Sequence, residues 1–213
     1  KNVIIDNSAG FFSKSYNNYY FVYSPRKFFG VPDGGYVLGP GAEKNTLDYE
    51  QDKSSDTSLF LMKRIEYGLT ATYPERMINE ARIDRSGVLN MSVLTRMLLN
   101  SIDYELVRKK RIDNFHIAHD LFARINIINP TLFCDDEFAP MVYPLVIEQS
   151  TITEKLKSDN IFVGRLWKQV LAEVPDDSFE AYLSKFLVPI PIDQRYGREE
   201  LQYIYNSAIR NSK

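Results

Sequence analysis

The sequence is poor in cysteine, histidine, net charge and long apolar runs, and each shortage excludes a class of protein. One cysteine, Cys134, excludes an internal disulfide and fits a reducing compartment. Two histidines, His116 and His119, are too few for a metal cluster. A net charge of −2 creates no general attraction for nucleic acid, and no stretch approaches the roughly 20 apolar residues of a membrane span. We therefore expect a soluble, cytoplasmic protein with no metal, nucleic-acid or membrane partner.

Apolar and aromatic side chains are plentiful, and they allow substantial cores. Hydrophobic residues make up 44% and aromatic residues 13% of the 213 positions, enough for one large domain or two small ones. An aromatic run opens the stretch from Tyr19 to Leu38, YYFVYSPRKFFGVPDGGYVL. Its aromatic and β-branched residues favour two strands, and its glycines and prolines mark the connection between them. The stretch predicts a strand, an exposed Lys27 and a second strand.

Three nearby features indicate that Lys27 does more than the simple solvation typical of loop lysines. Val3 to Ile5 predicts a short buried strand that delivers Asp6 at its C-terminal end, the edge where open α/β sheets bind ligands. Ser24 offers a hydroxyl on a chain that the next residue, a proline, stiffens. The glycine pair at 34–35 lets the backbone approach a bound group closely. Together they suggest a lysine that bonds to a carbonyl cofactor and an acid that tunes it.

Asp6, Lys27 and Asp33-Gly34-Gly35 follow one another in a pattern that resembles the DegT/StrS-type sugar-nucleotide aminotransferases. These are fold-type-I enzymes that depend on pyridoxal 5′-phosphate (PLP). The family motif is a strand-end acid, a short interval, a lysine, and an acid followed by two glycines six residues beyond the lysine. The resemblance implies that Lys27 bonds covalently to PLP and that Asp6 pairs with the pyridine nitrogen of the cofactor.

The chain departs from the family pattern at two positions beside the expected cofactor. Three residues after the strand-end acid the family usually has Gln or His near the cofactor ring, and this chain has Ala9. The family serine that commonly contacts the phosphate lies five residues before the lysine, where this chain has Val22. Ser24, three residues before the lysine, is the expected substitute for that serine.

The polar segment 43–56, which follows the second strand, is either a plain surface loop or a mobile lid at the ligand edge. A helix comes next, because apolar residues recur at spacings of three and four along one face: Leu59, Met62, Ile65 and Leu69. Pro74 should end or kink this helix, and residues 82–90 should form a loop.

A long helix is predicted to join two domains. Ser92 is an expected N-cap, and apolar periodicity continues from there to Phe122, a helix of roughly 30 residues. We place the domain boundary on this helix and assign residues 1–115 to a large domain and 116–213 to a small one. The basic cluster 108–111 is flanked by acids and points around the helix axis, which indicates a solvated face rather than a nucleic-acid site.

The small domain is expected to be an α+β layer, with helices on one side of a mostly antiparallel sheet. Its predicted strands are 141–148 and 161–167, with an extended piece at 187–192. Its predicted helices are one opened by a capping box at Thr151, one at 178–186 and one at 198–209. The family resemblance extends to 154–167 and 187–204. It implies that Arg165 and Trp167 line the substrate side, although packing for Trp167 and a plain surface charge for Arg165 are open alternatives.

The resemblance implies the C-terminal portion of a fold-type-I large domain, joined by the long helix to the small α+β domain. The enzyme would be a homodimer that moves an amino group from an amino-acid donor such as glutamate to a nucleotide-linked keto-sugar. In enzymes of this family, the half of the chain that precedes the strand matching Asp6 supplies the helix N-terminus that binds the cofactor phosphate. We therefore expect a fragment, or a chain whose site a second chain completes.

Two other classes of function stay open at this point. One is a non-catalytic module that keeps the aminotransferase-like fold but has lost the cofactor. The other is an unrelated α/β interaction domain in which Lys27 is merely exposed.

Overall fold

The computed structural model describes residues 3–16, 18–45, 48–134, 138–149 and 151–210. The chain forms two compact units, an N-terminal unit of residues 1–103 and a C-terminal unit of residues 104–213. The division comes before the predicted boundary at residue 115. The described residues are mixed α and β, rich in helix and with two small sheets, as the α/β class predicts. None of the described helices has the length and apolar character needed to cross a membrane.

A three-stranded sheet organises the N-terminal unit. Its strands are β1 (Ile4–Asp6), β2 (Tyr20–Tyr23) and β3 (Tyr36–Leu38), in the order β1-β2-β3. β1 pairs with β2 in parallel, with Asp6 opposite Val22, and β2 pairs with β3 antiparallel. The predicted strand, exposed lysine and second strand are confirmed. Because β1 and β2 are parallel, their carboxyl ends meet at one edge of the sheet.

The expectation that β1 is a buried strand is wrong within the described residues. Ile4 is 71% exposed. β1 is an edge strand with β2 on one side, so burial of its side chains depends on which layers cover it rather than on its own apolar sequence.

A cluster of aromatic rings packs the connection between β1 and β2 against the turn that follows β2. The Phe11 ring lies 5.0 Å from the Phe29 ring and 5.7 Å from the Phe28 ring, centroid to centroid, and Phe12 lies 5.9 Å from Phe28. Tyr23 at the end of β2 joins the same cluster, 6.4 Å from Phe11. Such ring pairs stabilise beyond the apolar area they bury, so this connection is an ordered part of the unit.

The helices of the N-terminal unit are α1 (Ala42–Asn45), α2 (Leu59–Arg85) and α3 (Val93–Asn100). α2 is kinked at Gly68, whose φ of 81° is a conformation that glycine adopts readily. Beyond this kink the helix continues through Pro74. The loop predicted for 82–90 begins only at residue 86. The predicted apolar face of α2 does not pack inside the unit, since Ile65 is 88% exposed and Leu59 and Met62 are also exposed.

The segment 43–56 is held in place over the part that the structure describes. The Asp52 carboxylate pairs with Arg82 at 2.7 Å, and the buried Ser54 hydroxyl hydrogen bonds to the Ser92 hydroxyl at 2.8 Å. Gln51 forms an isolated β-bridge with Asn90. These contacts favour the surface loop over the lid for residues 48–56; positions 46 and 47 lie outside the described residues.

The predicted long helix is two helices. Ser92 caps α3 as predicted, accepting a hydrogen bond from the Thr95 N–H, but α3 ends at Asn100 and α4 (Tyr104–Phe122) begins three residues after Ser101. The Ser101 hydroxyl donates to the Leu98 carbonyl at 2.7 Å. Serine side chains compete with the backbone in this way at helix ends, a local effect that apolar periodicity cannot reveal.

The C-terminal unit is built on a two-stranded antiparallel sheet of β4 (Val142–Val146) and β5 (Leu187–Pro191). Its helices, after α4, are α5 (Ile152–Ser158), α6 (Phe179–Phe186) and α7 (Arg198–Arg210). α4 packs against both α7 and β4, and α5 packs against α7. Pro144 and Pro189 face each other across the sheet, which a two-stranded sheet tolerates because each strand has a free edge.

Two details of this unit differ from the prediction. Residues 161–167 form no strand: the Ile161 N–H donates back to the Leu156 carbonyl, and the segment then runs irregularly into a 3₁₀ helix at Lys168–Ala172. The Thr151 side chain makes no capping hydrogen bond, although α5 begins where the capping-box sequence placed it. Residues 161–167 were predicted as a strand from their apolar run, but a strand also needs a neighbouring strand with which its backbone can hydrogen bond.

Candidate functional site

Asp6 and Lys27 lie at the same edge of the N-terminal sheet. Asp6 is the last residue of β1, and Lys27 ends the 3₁₀ turn Pro25–Lys27 that follows β2. The parallel pairing of the two strands brings these residues together, since each follows the carboxyl end of its strand. Both side chains are exposed.

The turn that carries Lys27 is anchored on both sides of the lysine. Pro25 is buried at the first position of the turn, and its carbonyl accepts the N–H groups of Phe28 at 2.9 Å and Phe29 at 2.8 Å. Phe28 and Phe29 are buried in the aromatic cluster. The lysine therefore projects from a backbone that proline and two packed rings hold in place.

Ser8 contacts both candidate residues. Its hydroxyl oxygen accepts a hydrogen bond from the Lys27 Nζ at 3.0 Å, and its backbone N–H donates to Asp6 Oδ1 at 2.8 Å. Ser8 is not among the site residues predicted from the sequence. Its local signal is the aspartate two residues before it, since an aspartate often accepts a hydrogen bond from the N–H two residues later in an Asx turn.

The surroundings of Asp6 favour its ionised form. The Ser8 backbone N–H lowers the pKa of the Asp6 carboxyl most, and the Ser8 side chain lowers it further. Desolvation opposes them, and the charge of Lys27 adds a smaller effect that lowers the pKa. The site thus presents a carboxylate at neutral pH.

The other expected cofactor neighbours lie near this edge. Val22 is opposite Asp6 on β2, and Ala9 is exposed in the turn after β1. Ser24 is half-buried at the start of the 3₁₀ turn, where its side chain makes no capping bond and its carbonyl accepts the Lys27 N–H at 3.3 Å. Ser24 is therefore placed close to the lysine in the chain and in space.

Asp33, the second acid of the motif, is a buried residue with a structural role. The residue is only 3% exposed, and its carboxylate accepts hydrogen bonds from the Ser92 N–H at 2.9 Å, the Ser92 hydroxyl at 2.7 Å and the Thr95 hydroxyl at 2.8 Å. Burial raises the pKa of Asp33, but hydrogen bonds from Ser54, Ser92 and Thr95 outweigh it and leave the pKa below the ordinary value. Asp33 thus ties the segment between Lys27 and β3 to the start of α3.

The glycine after Asp33 has a packing role. Gly34 has a φ of +93°, and a side chain there would come within 3.0 Å of Thr95 Cγ2 and 3.1 Å of Met91 Cβ. The glycine pair was expected to let the backbone approach a bound group closely. At Gly34 the backbone instead approaches the beginning of α3.

A polar groove of about 210 Å³ lies beside this packing, within the N-terminal unit. Its lining includes Arg26, Asp33, Gly35, Asp52 and Asn90. The guanidinium of Arg26 pairs with Glu80. Neither Lys27 nor Asp6 lines this groove, so it is separate from the edge at which those two residues meet.

The two expected substrate residues belong to the C-terminal unit. Arg165 is half-buried and Trp167 is 57% exposed. The Trp167 backbone is left-handed, with φ 56° and ψ 48°, an unfavourable conformation for a bulky residue. Trp167 is thus a surface residue, and a substrate role for either side chain stays a prediction.

Comparison of the chain with protein-family models, with curated proteins and with solved structures finds no match. Among the residues that the structure describes, no group of three histidine, cysteine or carboxylate side chains is arranged to hold a metal ion.

Proposed function

We propose that this chain carries the catalytic lysine and aspartate of a cytoplasmic, PLP-dependent aminotransferase of the DegT/StrS type. The reaction would move an amino group from an amino acid, with glutamate as the expected donor, to a nucleotide-linked keto-sugar. One observation carries the proposal: an amine and an ionised carboxylate emerge at the same edge from two parallel strands and share Ser8 as a hydrogen-bond partner.

These residues fit two parts of PLP. An exposed primary amine suits the aldehyde, and a carboxylate that stays ionised suits the protonated pyridine nitrogen. Ser24, half-buried beside the lysine, is the candidate contact for the phosphate within this chain. Strong phosphate binding needs several charge-assisted contacts, and a second copy of the chain is the proposed source of the others.

When bound, PLP supplies an electron sink for the bond broken at the α-carbon of the donor. The work of this chain is then to bind, orient and move protons. Lys27 would hold the cofactor through its aldehyde and, once the donor amine has taken its place, its free amine would carry the proton removed from the α-carbon of the donor. Asp6 would keep the ring nitrogen of the bound cofactor protonated. Arg165 and Trp167 remain the proposed contacts for the substrate.

A homodimer completes the proposal. Apolar side chains such as Ile4, Met62 and Ile65 are exposed in the N-terminal unit, and exposed apolar surface of this kind is covered in many proteins by further chain or by a partner. The exposure of both Lys27 and Asp6 supports the same conclusion, because a working site must exclude water.

Borohydride reduction in the presence of PLP tests the assignment. In the full-length protein, peptide mapping should find a pyridoxyl group on Lys27, and Lys27→Arg should abolish it. Lys53, also exposed in the N-terminal unit, gives a matched control, since Lys53→Arg should leave labelling unchanged. Labelling spread over many lysines, or none at Lys27, would support instead the non-catalytic module, which the substitution of Ala9 for the family Gln or His also favours.

A further inference from the structure

We propose that Ser8 is a positioning residue that holds the Lys27 amine beside the Asp6 carboxylate. A role for Ser8 in catalysis rests on the proposed function, but the hydrogen bond between Ser8 and Lys27 forms without any cofactor. The DegT/StrS resemblance assigned no role to this position.

Ser8 is fixed first by Asp6. Its N–H donates to Asp6 Oδ1 at 2.8 Å, and the turn around it is closed by the Asn7 N–H on the Val22 carbonyl at 2.8 Å and the Gly10 N–H on the Asn7 carbonyl at 2.9 Å. The serine therefore keeps its place against the end of β1, whatever the lysine does.

Lys27 is then fixed by Ser8. A lysine has a long flexible stem and an amine that can point in many directions, whereas here Nζ donates to Ser8 Oγ at 3.0 Å. The Ser8 side chain also lowers the pKa of the Asp6 carboxyl. One residue thus joins the two groups, because the Ser8 hydroxyl accepts from the amine and the Ser8 backbone N–H donates to the carboxylate.

Both sides of this contact are held by the same aromatic cluster. Phe11 and Phe12 follow Ser8 closely in the chain, Phe28 and Phe29 follow Lys27, and the rings of the two pairs lie 5.0 to 6.4 Å apart between centroids. Packing on both sides restricts the distance between Ser8 and Lys27. A surface lysine on an independent loop would have no such restraint.

A pair of nearly isosteric variants isolates the hydroxyl. Ser8→Thr keeps it, and Ser8→Val replaces it with a methyl group of similar shape. Among the described residues the positive-φ positions other than glycine are Asn160 and Trp167, so Ser8 can take a β-branched side chain without entering the left-handed region. Unchanged thermal unfolding in both variants checks that they fold.

The first measurement needs no cofactor. In protein labelled with ¹³C-lysine, the Cε resonance of Lys27, assigned through Lys27→Arg, should move as the Asp6 carboxylate titrates at acidic pH. The step should persist in Ser8→Thr, shrink to a small part of its size in Ser8→Val, and vanish in Asp6→Asn. An equal step in Thr and Val variants, or no step in the unsubstituted protein, would overturn the proposal.

The second measurement is the rate of PLP trapping on Lys27 in the full-length protein. Ser8→Val should slow it several-fold relative to Ser8→Thr, because the amine spends less time beside the carboxylate. Equal rates of PLP trapping in Ser8→Thr and Ser8→Val would contradict the proposal that Ser8 contributes to catalysis. If Lys27 is never labelled, the aminotransferase assignment fails, while the lysine resonance still decides whether Ser8 positions the amine.

Discussion

Asp33 and Ser92 are 59 residues apart in the chain, yet the Asp33 carboxylate accepts both the backbone N–H and the hydroxyl of Ser92, at 2.9 and 2.7 Å. Ser92 is at the same time the N-cap of α3, through its bond to the Thr95 N–H at 3.0 Å. The carboxylate lies at the N-terminal, positive end of the helix, where negative charge is favoured. The contact joins the segment between Lys27 and β3 to the start of α3.

Replacement of Asp33 should destabilise the N-terminal unit. Asp33→Asn places an amide where hydrogen-bond donors converge, so we expect a loss of about 1.5–3 kcal/mol in the free energy of unfolding, the range for hydrogen bonds to a charged group. Urea denaturation followed by circular dichroism measures the loss, and hydrogen exchange of the α3 amides locates it. Asp84→Asn, at an exposed position of α2, should change stability by less than about 0.5 kcal/mol. Equal effects of the two substitutions would contradict the role of Asp33.

The same carboxylate predicts a pH dependence. Because the pKa of Asp33 is lower in the folded protein than in the unfolded chain, its contribution to stability is fully present above the unfolded value of about 3.9. That contribution is lost as the pH falls through the lower folded value. The urea midpoint of the N-terminal unit should therefore decline below about pH 4, and Asp33→Asn should make the decline shallower. A variant that declines as steeply as the original chain would exclude Asp33 as its cause.

Arg111 should be the most sensitive charged residue of the C-terminal unit. It is 2% exposed, and burial lowers its pKa to about 10, while Asp193 opposes this shift. Its guanidinium donates to Gln194 Oε1 at 3.1 Å and to the carbonyls of Pro140 and Met141 at 3.4 and 3.3 Å. Arg111→Ala leaves these buried acceptors without their charged donor, whereas Asp193 keeps its ion pair with Arg195 at 2.8 Å, so we expect a loss of about 1.5–3 kcal/mol in the free energy of unfolding.

Arg108, one helical turn earlier on α4, provides the control for Arg111. It makes an exposed ion pair with Glu105 at 3.1 Å, three residues apart. Such pairs contribute about 0.3–0.5 kcal/mol, so Arg108→Ala should shift the urea midpoint only slightly. If both variants unfold at the same urea concentration, the buried contacts of Arg111 do not carry the stability assigned to them.

Asp6 and Lys27 should fail in different ways when replaced in the full-length protein. Lys27→Ala should abolish both PLP trapping and transamination, because both steps use its amine. Asp6→Asn should retain trapping on Lys27 but slow transamination by orders of magnitude, because the ring nitrogen is no longer held protonated. Glutamate with a panel of nucleotide-linked keto-sugars provides the assay, and Asp84→Asn the control. A Lys27→Ala protein that still turns over would overturn the mechanism.

The local elements of this protein could be predicted from its sequence. The strand, lysine and strand between Tyr20 and Leu38, the N-cap at Ser92, and the helices α6 and α7 all follow from side-chain periodicity, caps and turn residues. These signals operate over a few residues, so they need no knowledge of the rest of the chain. The placement of Asp6 and Lys27 at one edge follows from the same reasoning once β1 and β2 pair in parallel.

The tertiary structure decided which faces are covered and which distant side chains meet. Apolar periodicity predicted a packed face on α2 and a buried β1, but Ile65 and Ile4 are exposed because burial depends on neighbouring layers. It also predicted one helix where a break at 101–103 separates two units. The Ser8 contact with Lys27 and the Asp33 contact with Ser92 join residues 19 and 59 positions apart. No local pattern specifies such pairs, because hydrogen bonds across the fold form only after packing has brought the backbone segments together.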